Sequence, residues 1–118
     1  VVDPTTLAAA RARAQEWVGS LRHELDDLAD QQALTSHDDE HDPEGETIAV
    51  QRAQLQGLLA AAEQERDDLD RAAERLAAGG YGRCVVCGGP IAPERLETLP
   101  AATTCISCAS DPRRRRRR

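Results

Sequence analysis

Four thiols set the first constraint on this 118-residue chain. They stand as Cys84-Val85-Val86-Cys87 and Cys105-Ile106-Ser107-Cys108, with seventeen residues between the pairs. Thiolates are soft ligands, and a Cys-x-x-Cys turn aims two of them at one ion. A second such turn at this spacing completes a tetrahedron, the pattern of a four-cysteine zinc site. Gly88 and Gly89 follow the first pair, where a tight turn lets backbone N–H groups approach the sulfurs. Two disulfides or four free buried thiols are the other readings of the same residues. The doublet pattern, with no secretory signal expected, favours zinc. Four protein ligands leave no open coordination position, so the ion is expected to be structural rather than catalytic.

Three further groups could do chemistry. Asp38, Asp39, Glu40, Asp42, Glu44 and Glu46 place six carboxylates within nine residues. They read either as a solvated turn or as a tip that reaches a basic or metal-containing cavity of a partner. His37 and His41 flank this cluster at a four-residue spacing, which suits a second metal site or two exposed, titrating histidines. Arg113–Arg118 form a basic run, a solvated tail or a nonspecific contact for nucleic acid or an acidic protein face. No glycine-rich phosphate loop and no plausible Ser/His/Asp arrangement is visible, so the chain is not expected to be an enzyme.

The elements that position these groups are helical. Asp3-Pro4 is a capping residue followed by proline, a good helix start. Leu7, Ala14, Leu21 and Leu28 then recur every seven residues, accompanied by Ala10, Trp17 and Leu25, in a helix running to about Leu34. Gly19 and Ser20 interrupt it, and a bend is one outcome. Residues 35–45 contain no periodic apolar residue and read as a connection. Asp42-Pro43 repeats the start signature, and a second helix is expected over about 46–78, carrying Ile48, Leu55, Ala62, Leu69 and Leu76 with Leu58, Leu59, Ala72 and Ala73. Gly79-Gly80 ends it. At 1.5 Å per residue each helix measures about 45–50 Å. Two equal helices and one polar connection favour an antiparallel hairpin in a monomer over pairing between chains.

The expected fold is therefore mainly α: a long antiparallel coiled-coil helical hairpin with a small four-cysteine zinc-finger module. Its domains are a hairpin over 1–79, the module over 80–109 and a disordered arginine-rich tail over 110–118. Pro90, Pro93 and Pro100 make the spacer between the cysteine pairs mostly turns, with one helical turn at Glu94 to Leu96. Ile91, Leu96 and Leu99 supply a small satellite core, and metal binding is folding free energy in such modules.

Composition agrees with this division. Trp17 and Tyr81 are the whole aromatic inventory, with no Phe or Met, too few for a large core. The net charge is −6, and because the six terminal arginines carry +6 the remainder carries −12. An acidic body repels DNA phosphates, which argues against a DNA-backbone binder. No run of eighteen apolar residues occurs, so no membrane span is expected and a cytoplasmic location follows.

The run Gly80-Tyr81-Gly82-Arg83-Cys84-Val85-Val86-Cys87-Gly88, then Ile91, Arg95-Leu96, Pro100 and Cys105-Ile106-Ser107-Cys108, resembles the zinc finger of DksA/TraR proteins. The resemblance covers about residues 42–108. It implies a bacterial transcription regulator whose hairpin enters the secondary channel of RNA polymerase, where the acidic tip modulates open-complex stability without sequence-specific DNA binding. Asp42-Pro43 matches the opening of the family's tip motif, Asp-Pro-x-Asp-x-Ala. Gly45 stands where that motif has its second Asp and Thr47 where it has Ala, with Glu44 and Glu46 nearby. The helix that follows the last cysteine in DksA-like members is replaced by Asp111-Pro112 and arginines. Glu63, Glu65, Asp67 and Asp68 make the second arm acidic, which suits a ppGpp-binding surface poorly. A zinc-stabilised coiled-coil interaction protein without a polymerase role is the alternative.

Overall fold

A computed structural model describes residues 4–35, 43–111 and 113, with the side chains of 35 and 43–46 outside that description. Among the described residues the helices follow in the order α1 (Pro4–Thr35), α2 (Pro43–Ala77), α3 (Pro93–Thr98) and α4 (Ile106–Ser110). No strand occurs among the described residues, where one isolated antiparallel bridge joins Arg83 and Pro90. Among the described residues no helix is long and apolar enough to cross a membrane.

Both long helices begin on proline, whose fixed φ suits the first turn and whose missing N–H is not needed there. For α2 this places the start three residues before the expected Glu46, since Gly45 in the first turn does not stop the helix. Helix α1 is continuous through Gly19 and Ser20. The end of α2 is a Schellman turn: Gly79, at φ +83°, donates to the Leu76 carbonyl and Gly80 to that of Arg75, at 3.2 and 2.8 Å.

The chain divides into two compact units, Val1–Ala12 with Glu65–Arg118, and Arg13–Gln64. In each, α1 and α2 run antiparallel, as expected of a hairpin. In the first, Leu7, Ala10, Leu69 and Ala72 are buried. Both Nε and Nη2 of Arg11 donate to Asp70 Oδ1, at 3.1 and 3.0 Å. In the second, Val18, Leu21 and Ala62 form a cluster with Leu55 and Leu59 packed against it.

Two heptad expectations are corrected here. Trp17 is 47% exposed, and its neighbour Val18 is buried instead. The steps from Ala14 to Trp17 and to Val18 turn by about −60° and +40°, so both flank the stripe. The packing against Ala62, Leu55 and Leu59 takes the valine. Leu58 is likewise 50% exposed, whereas Leu59, one residue on, turns into the cluster.

Candidate metal centre

The first cysteine pair is built by a backbone turn. Cys84 N–H donates to the Gly89 carbonyl at 2.8 Å and Gly88 N–H donates back to the Cys84 carbonyl at 2.9 Å. Gly88 sits at φ +76°, a conformation costly for any residue with a Cβ. The turn brings the Gly89 N–H to 3.4 Å from Cys87 Sγ, as the paired glycines suggested. Ile91 N–H donates to the Gly82 carbonyl at 2.8 Å, closing the small loop behind the thiols.

The second pair rides on α4, which begins at Ile106 inside the Cys-x-x-Cys itself. Ala109 N–H donates to the Cys105 carbonyl at 3.0 Å, a helical bond that sets the two thiols one turn apart. The helix ends at Ser110, two residues past Cys108. Nothing in the spacing announced this helix, because five residues are too few to show a period.

The spacer ties the pairs together. Val85 N–H donates to the Thr103 carbonyl at 2.8 Å, crossing from one pair to the segment before the other. Arg95 Nε donates to the Thr104 carbonyl at 2.9 Å, and Tyr81 Oη donates to the Pro100 carbonyl at 2.8 Å. Helix α3 extends the expected single turn to Pro93–Thr98. Cys84, Ile91, Leu96 and Cys108 form the module's core, with Tyr81, Val86, Ala102 and Cys105 against it. Leu99 was expected in that core and is half exposed. It stands at the C-cap of α3, past the turn that points Leu96 inward.

The ligand atoms of Cys84, Cys87, Cys105 and Cys108 all lie within 4.8 Å of one another. The Cys87 and Cys105 Sγ atoms are 3.8 Å apart, far beyond a disulfide bond. Tetrahedral zinc at about 2.3 Å from each sulfur requires sulfurs about 3.8 Å apart. The donor set therefore fits a structural Zn²⁺. All four positions are filled by protein, so the ion supplies folding energy and no open site for chemistry.

The electrostatics favour thiolates at Cys84 and Cys105. Burial resists ionisation of Cys84, but hydrogen bonds from the backbone of Cys87, Cys105 and Val86, with the Cys108 side chain, outweigh it and bring this thiol down to about 6. The backbone and thiol of Cys108 likewise lower Cys105. A thiolate is the form that binds metal.

Asp38, Asp39, Glu40 and Asp42 lie outside the described residues, as do His37, His41 and Arg114–Arg118. Glu44 and Glu46 fall in the first turns of α2, where the backbone is described and the side chains are not. The supporting carbonyls of Pro100, Thr103 and Thr104 were missed from sequence, since a backbone acceptor leaves no residue-type signal. Arg95, which reaches one of them, was visible as part of the resemblance.

Comparison with known proteins adds two findings. Residues 79–114 match the family model described as the prokaryotic dksA/traR C4-type zinc finger. Among solved structures, transcription factor DksA2 from Pseudomonas aeruginosa is similar, with 26% identity and a TM-score of 0.60. That match covers 98% of this chain and 89% of the other. No curated protein matches the chain.

Proposed function

We propose that this chain, whose residues 79–114 match the dksA/traR C4-type zinc finger and whose fold is similar to that of DksA2, is a bacterial transcription regulator that binds RNA polymerase through the secondary channel. The hairpin connection enters the channel in this reading, and Asp38, Asp39, Glu40, Asp42, Glu44 and Glu46 act there on the stability of the open complex. Carboxylates suit that task because they repel nucleic-acid phosphate and attract cationic side chains or Mg²⁺. The zinc module is the folded base and performs no chemistry. A cytoplasmic location and a monomeric state go with this function, and Arg113–Arg118 are left to nonspecific contact with nucleic acid.

The observation that carries the reading is a conjunction. A closed four-thiol site follows the glycine end of α2 directly, in a chain whose likeness to DksA2 covers 98% of its length. The test is affinity capture of polymerase subunits by this chain from bacterial extract, followed by open-complex lifetimes with purified components. Capture together with an altered lifetime supports the reading. Absence of polymerase from the captured material, with zinc bound and the helices intact, overturns it.

A further inference from the structure

The two flanks of the Arg13–Gln64 unit differ in chemistry. One is stitched across the helices: Arg22 Nη2 reaches Glu63 Oε2 at 2.9 Å, and Arg52 Nη1 donates to Gln32 Oε1 at 3.2 Å. On α1, Arg22 lies about 100° past Leu21, whereas Glu24 falls about 60° to the other side. There the surface opens as a groove of about 420 Å³, with Leu28, Leu55 and Leu58 in its wall beneath Glu24 and Asp27 and glutamines from both helices. No lysine or arginine lines it. Asp27 meets the exposed His23 at 3.6 Å.

An apolar floor edged by carboxylates, with no lysine or arginine in its lining, is complementary to one kind of surface: leucine-like side chains flanked by lysine or arginine. Trp17 extends the same strip. It precedes Glu24 by seven residues, within about 20° around α1, and is half exposed. From Trp17 to Gln31 the strip runs about 21 Å, four helical turns. A second copy of this coiled coil is a poor occupant, because it would set Glu24 and Asp27 against carboxylates like themselves.

We propose that this groove is a docking surface for a cationic amphipathic helix of a partner protein, seated on Leu28, Leu55 and Leu58, paired with Glu24 and Asp27, and covering Trp17 at one end. The proposal does not rest on the polymerase reading, because its test contains no polymerase. The probe is an 18-residue Leu/Lys peptide with leucines at i, i+3, i+4 and i+7, titrated into the zinc-loaded full chain. Calorimetry reads affinity, and the chain's one tryptophan reads burial by a blue shift. The expected result is one-to-one binding, weakened about tenfold by Glu24→Lys and by Leu58→Glu. Both side chains are exposed, and circular dichroism checks that the helices persist. Asp30→Lys makes the same charge change elsewhere on α1 and is expected to leave affinity within about twofold. Any of four results overturns the proposal: no binding, equal binding of a scrambled peptide of the same composition, equal weakening by Asp30→Lys, or a homodimer that Leu58→Glu disperses.

Discussion

Tyr81 donates its phenolic hydrogen to the carbonyl of Pro100 at 2.8 Å, across nineteen residues of sequence. The bond fastens the segment leaving α2 to the far end of the spacer. The ring itself packs against Cys84, Ile91, Leu96 and Cys108. The hydroxyl therefore fixes where the second cysteine pair meets the first.

Tyr81→Phe keeps the ring and removes that bond, so thermal unfolding of the zinc-loaded protein should show a loss of about 1 kcal/mol. Burial raises the Tyr81 pKa, and Arg75 lowers it by less. The folded value thus lies above the unfolded one of about 10. Its contribution is complete below the unfolded value and fades as pH rises through the folded one. Ultraviolet titration of this sole tyrosine should place its midpoint above the free phenol's, and a midpoint at or below it would refute the buried geometry.

Gly79 tests the end of α2. Its φ is +83° and a Cβ placed there meets no atom within 4 Å, so any penalty is conformational rather than steric. Gly79→Ala should cost about 1 kcal/mol and Gly79→Asn less, because Asn tolerates the left-handed region. Equal melting temperatures for the glycine and alanine proteins would contradict the Schellman turn.

Acid should release the metal. The Cys84 thiol, at about 6 when folded, lies below the unfolded thiol value of about 8.5. Its contribution is therefore present above the unfolded value and lost as pH falls through about 6. Bound zinc competes further with protons. A chromogenic chelator should detect zinc release only near or below that pH, and Cys84→Ser should move release to higher pH. Full release from the unaltered protein at pH 7 would count against the thiolate assignment.

Asp42→Asn separates binding from action in the proposed regulator. Polymerase capture should be retained while the effect on open-complex lifetime weakens, since one carboxylate is neutralised without changing side-chain size. An undiminished lifetime effect in the purified system would remove Asp42 from the tip.

Residue type and spacing alone determined the metal centre. Two Cys-x-x-Cys turns seventeen residues apart have few uses, and the four thiols do converge. The long helices were equally legible, because Asp-Pro starts, heptads and a Gly-Gly stop are local signals whose physics lies within a few residues. What the sequence could not decide was which neighbour across a helix turns inward. Trp17 and Val18 flank the same stripe, and Leu58 and Leu59 are adjacent. Only the antiparallel packing that brings Val18 and Leu21 to Ala62 makes that choice. Helix α4 also waited on tertiary structure, being held by the module's core at Cys108 rather than by any period of its own. The groove beneath Glu24 and Asp27 was hidden for the same reason: its walls come from two helices, and they meet only once those helices have packed.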